Sequence, residues 1–187
     1  MADAYAKMTG KPGICAVTRG PGATNASNGV HTAFQDSTPM ILLIGQVGRD
    51  MVDREAFQEI DYRRMYGQMA KWVAQIDDAS RIPEYIARAW TTALSGRPGP
   101  VVLALPEDML RDEATVSDLS PMSLSAPSPD AHSLERLQTL LAEAKRPMLM
   151  RGACWRRFWM PVRVAASRVH QTWPWMRNFI YTRIINQ

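Results

Sequence analysis

The sequence predicts an α/β fold in which a parallel sheet carries helices on both of its faces. Four short apolar runs, each typical of a buried strand, alternate along the first 111 residues with segments of helical periodicity. Strands that alternate with helices form βαβ units, whose right-handed crossovers make the strands parallel and place helices on both faces. We therefore expect four neighbouring strands, buried on both faces, at residues 13–18, 39–45, 71–76 and 101–106.

The chain opens with alanine-rich residues that predict the last turns of a helix. Gly10, followed by Lys-Pro-Gly, is a typical helix stop. The first strand follows at once, and a turn rich in glycine and proline ends it. Thr24 and Asn25 can then cap a helix, which we place over residues 25–36.

The second half of this region repeats the pattern. A polar loop follows the second strand, and an amphipathic stretch then runs to about Tyr66. Residues 79–95 predict a helix because apolar side chains recur there with helical spacing, namely Ile82, Ile86, Ala89, Trp90 and Ala93. Asp77 and Asp78 come just before this helix. We interpret them as favourable negative charge at its N-terminus rather than as a pair of metal ligands.

Composition divides the chain into segments. The α/β region at residues 1–111 is followed by a linker, rich in Ser and Pro, at residues 112–131. Residues 132–154 predict the start of a second α/β domain, with an amphipathic helix at 133–144 and a strand at 146–150. No internal repeat is visible.

The last segment, residues 155–187, differs in composition from the rest. Between residues 151 and 187 lie seven arginines and four of the six tryptophans, but no Asp or Glu. The net charge of +4 arises here, since the first 150 residues hold 15 basic and 18 acidic side chains. We favour out-of-frame translation, because the acidic residues and the periodic pattern stop together. Interleaved Arg and Trp can also bind nucleic acid or lie on an anionic membrane.

The overall composition excludes several classes of protein. No run approaches the roughly 18 apolar residues that span a bilayer, and no secretory signal opens the chain. The two cysteines, Cys15 and Cys154, do not form a disulfide framework. Cys15 lies in an apolar strand, where we expect a buried, inert thiol. The cytoplasm is the default location.

The most informative segment is the turn Thr18-Arg-Gly-Pro-Gly-Ala-Thr-Asn25, between the first strand and the next helix. It lies at the carboxyl end of the sheet, where open α/β folds bind ligands. Glycine allows close approach to the backbone, and proline stiffens the turn. The glycine spacing does not fit the dinucleotide-binding fingerprint, and no Gly-Lys-Ser/Thr follows as in a Walker A loop. These residues alone leave open a ligand-binding turn or a purely structural one.

Seven motifs together resemble the acetolactate synthase-like family of thiamine-diphosphate-dependent enzymes. They occur in the family's order and spacing, and the resemblance covers residues 1 to about 150. The motifs are Ala2-Asp-Ala-Tyr-Ala, Thr9-Gly-Lys-Pro-Gly13, Thr18-Arg-Gly-Pro-Gly-Ala-Thr-Asn25, Asp36-Ser-Thr-Pro-Met40, Gly45-Gln-Val47, Ala56-Phe-Gln-Glu59 and Gly96-Arg-Pro-Gly-Pro-Val101.

The resemblance implies that residues 1–111 form a pyrimidine-binding domain and residues 132–154 the start of a central domain. It implies thiamine diphosphate with Mg²⁺ as cofactor, a small-molecule 2-keto acid as substrate, and carboligation or decarboxylation as the reaction. It also implies a homo-oligomer with active sites between subunits.

Two catalytic parts of the family have no counterpart in this sequence. The family's glutamate that promotes ylide formation belongs before Ala2, and the Gly-Asp-Gly…Asn motif that holds Mg²⁺ and diphosphate does not occur. We therefore assign no catalytic residue and expect a fragment that is inactive alone. The alternative is a non-catalytic protein whose basic tail contacts nucleic acid or anionic membrane, which we consider the weaker interpretation.

The resemblance also indicates site residues. Phe57 and Gln58 match residues that approach the thiazolium ring and the substrate from the neighbouring subunit, and a neutral amide can bond a keto-acid oxygen. Four residues should line the pyrimidine side of the cofactor cleft: Gly20, Pro21, Gly22 and Asn25.

Other polar residues are weaker candidates. We interpret His31 as a structural histidine on a packed helix face and Glu107-Asp108 as a solvated turn. His132 and His170 have no partners at metal-ligand spacing.

Overall fold

The computed structural model describes residues 1–119 and 128–145. Within them, helices and strands alternate as α1 (Ala2–Thr9), β1 (Gly13–Val17), α2 (Pro21–Gln35), β2 (Met40–Gln46), α3 (Tyr62–Tyr66), β3 (Trp72–Gln75), α4 (Ile82–Leu94), β4 (Pro100–Pro106) and α5 (Ala131–Glu143). Short 3₁₀ turns occur at Arg49–Met51, Ala79–Arg81 and Met109–Arg111. The chain divides into two units, Met1–Leu124 and Ser125–Gln187, and α5 belongs to the second.

The four strands form one parallel sheet in the order β1-β2-β4-β3, which confirms the predicted architecture. One row across the sheet is Cys15, Leu42, Val102 and Val73. The longest pairing joins β2 and β4 over seven positions, from Met40 opposite Pro100 to Gln46 opposite Pro106. Because all strands run the same way, their carboxyl ends meet at one edge of the sheet.

Two apolar clusters lie on opposite faces of this sheet, as expected for helices on both sides. The first contains α1, α2 and α3 side chains against one side of the strands, with Val30, Leu42, Ile44, Tyr66 and Val102 at its centre. The second contains α4 against the other side, with Ile41, Ala89, Ala93, Val101 and Leu103 at its centre. Successive side chains of β2 and β4 therefore point alternately into the two apolar clusters.

Burial on both faces is confirmed for β2 and β4 and is wrong for the edge strand β1, whereas the edge strand β3 is partly buried and packs into both clusters. Cys15 and Val17 pack into the first cluster, and Cys15 is only half-buried. Ile14 points to the other face, where it is 59% exposed. Contacts of α4 with the sheet are concentrated on β2 and β4, so within residues 1–119 and 128–145 the α4 side of β1 has little cover.

Helix α2 begins earlier than the sequence indicated. It starts at Pro21, with Gly20 as its N-cap, rather than at Asn25. Proline suits the first helical position, because its fixed φ matches the helix and its missing N–H needs no partner there. Thr24 lies inside the first turn, where its hydroxyl donates to the Pro21 carbonyl at 3.0 Å.

The other helices follow the prediction closely. Gly10 ends α1 in the left-handed conformation, and its N–H donates to the Ala6 carbonyl at 2.8 Å. Asp78 caps the 3₁₀ turn that precedes α4, as its position indicated, by accepting from the Ser80 N–H at 2.8 Å. Ile86, assigned to the buried face of α4, is exposed. Asp130 caps α5 by accepting from the Ser133 N–H at 2.8 Å.

Some predictions fall on residues that the structure does not describe. The strand at 146–150 and the tail at 155–187 lie outside the described ranges, as does part of the linker. The proposed domain boundaries at 111, 131 and 154 stay predictions. None of the described helices is long and apolar enough to cross a membrane.

We expect Gly13→Ala to destabilise the fold, because a Cβ at Gly13 would lie 2.0 Å from the Ala2 carbonyl oxygen. Either α1 or β1 would have to move, at a cost of about 1–3 kcal/mol. The control is Gly29→Ala, since nothing lies within 4 Å of the added Cβ on α2. That variant should gain about 0.5–1 kcal/mol from helix propensity. Urea unfolding measures both, and equal stability of the two variants would contradict the packing of α1 on β1.

Candidate functional site

The turn between β1 and α2 is shaped by a glycine that no other residue replaces easily. Gly20 has φ 59° and ψ −110°, and Gly20 itself is buried. A Cβ at Gly20 would lie 2.7 Å from the Cβ of Gln58, and one at Gly22 would lie 2.8 Å from Thr18 Cγ2. Because Gly20 and Gly22 have no side chains, the turn packs closely on Gln58 and Thr18. Pro21 and Asn25 remain exposed on its outer side.

Two tyrosines of α3 bind the two ends of this turn. The Tyr62 hydroxyl accepts a hydrogen bond from the Gly20 N–H at 3.0 Å. One helical turn later, the Tyr66 hydroxyl donates to the Ala23 carbonyl. Both tyrosines are buried, and their ring centroids lie 6.4 Å apart.

Burial also fixes the protonation state of both tyrosines. It raises the pKa of Tyr62, and it raises the pKa of Tyr66 to about 12, with a smaller contribution from the neighbouring Tyr62. Both groups therefore stay neutral phenols to higher pH than an exposed tyrosine, and each can act as donor and acceptor.

The loop before α3 is strained and held by side-chain hydrogen bonds. Asp53, Glu55 and Gln58 have φ values of 61°, 54° and 67°, a conformation that residues other than glycine rarely adopt. The Glu59 carboxylate accepts from the backbone N–H of Asp53 at 2.8 Å and of Ala56 at 3.1 Å. Such strain persists only where surrounding contacts enforce it, and it concentrates at functional sites.

Gln46 fastens this loop to the sheet. It is the last residue of β2 and only 5% exposed. Its amide nitrogen donates to the Ile60 carbonyl at 2.8 Å, and its amide oxygen accepts from the Val47 N–H at 3.0 Å. The end of the central strand therefore fixes the backbone two residues after Gln58.

An open cavity of about 300 Å³ lies at the carboxyl ends of β1, β2 and β4. Its lining combines strand-end residues with the strained loop: Thr18, Arg19, Gly45, Gln46, Phe57, Gln58, Leu105, Glu107 and Leu110. Phe57 is 79% exposed, so its ring is available to a ligand. The cavity thus contains both residues predicted to approach substrate.

The predicted cofactor residues lie beside this cavity rather than in its lining. Gly20 adjoins the cavity because it packs against Gln58, which is one of the lining residues. Pro21, Gly22 and Asn25 lie on the first turn of α2, outside the lining. The structure therefore brings Gly20 and Gln58 together and leaves Asn25 on the neighbouring helix surface.

Ion pairs tie the ends of the strands together around the cavity. Arg19 pairs with Glu107 at 2.8 Å, which joins the turn after β1 to the residue that follows β4. Arg49 binds Asp108 at 2.7 Å and Asp112 at 2.8 Å, and its hydrogen bond lowers the pKa of Asp108. The expectation that Glu107 and Asp108 form a solvated turn is therefore incomplete, because both are paired.

The remaining candidates do not form a further site within the described residues. His31 is exposed on α2 rather than packed, and its ring lies 3.4 Å from the Gln35 amide. His132 is exposed on α5, and His170 lies outside the described ranges. Across residues 1–119 and 128–145, no group of three or more His, Cys, Asp or Glu side chains could hold a metal ion.

Three residues of this site were not singled out from the sequence: Gln46, Tyr62 and the cavity-lining Arg19. Gln46 carried a signal, because a polar residue that ends an otherwise apolar strand must be satisfied when buried. The partner of Tyr62 lies 42 positions away in sequence, and no local pattern indicates such a contact.

Comparison with known proteins gives consistent matches. Residues 1–65 match the family described as thiamine pyrophosphate enzyme, N-terminal TPP binding domain. A probable acetolactate synthase large subunit of Methanococcus aeolicus is 39% identical over 159 residues, and the isozyme 3 large subunit of Escherichia coli is 40% identical over 159 residues. Each alignment covers 81% of this chain. It covers 26% and 28% of the two relatives, so the chain spans about a quarter of their length.

A solved structure shares the fold. The crystal structure of benzoylformate decarboxylase from Polynucleobacter necessarius superposes with a TM-score of 0.73 at 28% sequence identity. The match covers 79% of this chain and 28% of that one.

Gly20→Ala should disturb the site more than a comparable glycine substitution elsewhere. The variant combines an unfavourable positive φ with a Cβ placed against Gln58, and we expect a loss of at least about 2 kcal/mol. Gly10→Ala is the control, because Gly10 has φ 72° but open space around its Cβ position. Only Gly20→Ala should also shift the Gln58 side-chain amide signals in NMR spectra. Unchanged Gln58 signals would contradict the contact.

Stability should fall between about pH 10 and pH 12. Because the folded Tyr66 keeps its proton up to about pH 12, whereas the unfolded side chain releases it near 10.0, alkaline pH favours unfolding in this window. The slope contributed by one group is at most about 1.4 kcal/mol per pH unit. Urea unfolding across pH should show a shallower fall for Tyr66→Phe. Tyr5→Phe, which alters a half-exposed tyrosine, should keep the original slope, and equal slopes for both variants would contradict the assignment.

Proposed function

Because the chain belongs to the acetolactate synthase-like family of thiamine-diphosphate-dependent enzymes, we propose that residues 1–111 form its pyrimidine-binding domain. In this proposal residues 112–131 are a linker, and residues 132–154 begin a central domain. The parent activity is carboligation or decarboxylation of a small-molecule 2-keto acid. The observation that carries the proposal is the Gly20-Pro21-Gly22 turn, which lies beside the cavity at the carboxyl ends of the strands.

The outer side of the turn fits the aminopyrimidine half of thiamine diphosphate. Pro21 and Asn25 are both exposed, and they lie four residues apart on one face of α2. The proline offers an apolar surface for a flat ring, and the Asn25 amide offers both a donor and acceptors for the ring's polar edge. Gly20 and Gly22 support this surface by allowing the turn to pack tightly on Gln58 and Thr18.

Phe57 and Gln58 suit the substrate side. The exposed Phe57 ring supplies an apolar wall, and Gln58 can donate a hydrogen bond to a keto or carboxylate oxygen without adding charge. When bound, thiamine diphosphate supplies the carbon nucleophile that adds to the keto carbon. The residues of this chain would bind and orient the two reactants. We assign no described residue to the diphosphate or to Mg²⁺. A homo-oligomer, and inactivity of the chain alone, stay predictions.

Substitution of the exposed asparagines tests the cofactor surface. Asn25→Ala in the 187-residue chain should weaken binding of thiamine diphosphate about tenfold, because it removes hydrogen bonds to the ring. Asn28→Ala is the matched control, since Asn28 is exposed on the same helix one turn further on. Binding is measured from amide chemical-shift changes at Gly20, Gly22 and Asn25 in the labelled chain.

A second arm of the same experiment separates the two halves of the cofactor. Pyrophosphate with Mg²⁺ should not reproduce the shifts at Gly20 and Gly22, because it lacks the pyrimidine ring. The proposal fails if pyrophosphate produces the same shifts, if thiamine diphosphate produces none, or if Asn28→Ala weakens binding as much as Asn25→Ala.

The alternative function, contact of the tail with nucleic acid or anionic membrane, concerns residues 155–187, outside the described ranges. The comparisons lend it no support, and we do not propose it.

A further inference from the structure

The two tyrosines of α3 bind the same turn in chemically different ways. Tyr62 accepts from an N–H group, that of Gly20, whereas Tyr66 donates to a carbonyl group, that of Ala23. Tyr62 is 3% exposed and Tyr66 is fully buried, so both hydrogen bonds are shielded from water. The difference lies in what each turn residue loses when its tyrosine hydroxyl is removed.

Gly20 depends on Tyr62 alone. Gly20 is the N-cap residue of α2, is buried, and has no side chain that could cap the helix. Among the described residues the Tyr62 hydroxyl is the acceptor of its N–H, and without it a buried donor would be left unsatisfied. Gly20 also has no side chain whose packing could fix its orientation. The hydrogen bond from Gly20 therefore sets the plane of the peptide between Arg19 and Gly20.

Ala23 does not depend on Tyr66 in this way. Its carbonyl lies inside α2, where helical hydrogen bonding supplies a backbone donor from the following turn. A carbonyl oxygen can accept two hydrogen bonds, so loss of the Tyr66 hydroxyl still leaves it satisfied. Helix geometry itself then holds Ala23.

The position of Tyr62 is itself fixed from the central strand. Gln46, at the end of β2, holds the Ile60 carbonyl two residues before Tyr62. Asp61 then caps α3 by accepting from the Arg64 N–H at 3.1 Å. Hydrogen bonds at Ile60 and Tyr62, two residues apart in the chain, thus connect the end of β2 with Gly20.

From this geometry we infer that Tyr62 is a positioning residue for the cofactor-binding turn. Its hydroxyl holds the Gly20 peptide so that Pro21 and Asn25 present a fixed surface to the aminopyrimidine ring. Tyr66 is equally buried on the same helix, but its hydroxyl donates to a carbonyl that the helix already holds, so it does not position the turn. The inference rests on the proposed function, because it assumes that the turn receives the cofactor.

Paired phenylalanine variants of the full 187-residue chain test this role. Tyr62→Phe should speed hydrogen exchange of the Gly20 amide about five- to tenfold, because it removes one hydrogen bond. It should also weaken thiamine diphosphate binding by about the same factor. Tyr66→Phe removes the same atom from the same helix and should change both quantities less than about twofold. Exchange of the β2 and β4 amides reports whether each variant keeps its core.

The outcomes separate the two proposals. If the unmodified chain shows no shift with thiamine diphosphate, the proposed function fails, and Gly20 exchange still shows whether Tyr62 holds the turn. If Tyr62→Phe leaves Gly20 exchange unchanged, the role of Tyr62 is wrong whatever the chain binds. Equal weakening of binding by both variants would also overturn it, because general loosening of α3 would then explain the effect.

Discussion

Parallel pairing of β2 with β4 runs over seven positions at the centre of the sheet, and the candidate site is built where this pairing ends. Gln46 and Pro106 are the last partners in the register, and the loop to α3 and the acidic pair Glu107-Asp108 leave the sheet from these positions. Since β1 runs parallel to β2, the turn at Gly20 also leaves the sheet at the carboxyl ends of the strands. Antiparallel pairing of either neighbour would carry one of these segments to the opposite end of the sheet.

Polar groups at the site are satisfied by specific partners within the protein. Gln46 uses both ends of its amide, Glu59 uses both carboxylate oxygens, and Tyr62 accepts from Gly20. Each such bond contributes only about 1 kcal/mol net, but leaving a buried partner unsatisfied costs more. Three positive-φ residues in the loop can be kept only if these bonds hold. These hydrogen bonds therefore hold the loop at the cavity in a strained backbone conformation.

The elements that the sequence predicts well are those governed by local physics. Apolar runs identify β2 and β4, Gly10 identifies the end of α1, and Asp78 identifies the start of the helical segment that contains α4. Apolar runs do not tell which strand lies at the edge of the sheet. The exposure of Ile14 on the edge strand β1 was therefore not predicted. The early start of α2 was missed because Thr24 and Asn25 are good caps, whereas Pro21 is a better first helical residue. Contacts across 42 or 88 positions, such as Tyr62 with Gly20 and Arg19 with Glu107, leave no periodic signal.

The two edges of the sheet differ in how they are protected from unwanted pairing. Beside β3, the Trp72 ring stacks on Tyr85 at 5.7 Å, and the Arg88 guanidinium lies 4.2 Å above the same ring. Among the described residues, β1 has no comparable aromatic or charged cover on its α4 side, where Ile14 and Ala16 face outward. An apolar strand at the edge of a sheet is a template for the addition of another extended chain. On the residues that the structure describes, we expect concentrated preparations of this protein to self-associate along β1, and a charged side chain in place of Ile14 to reduce that association.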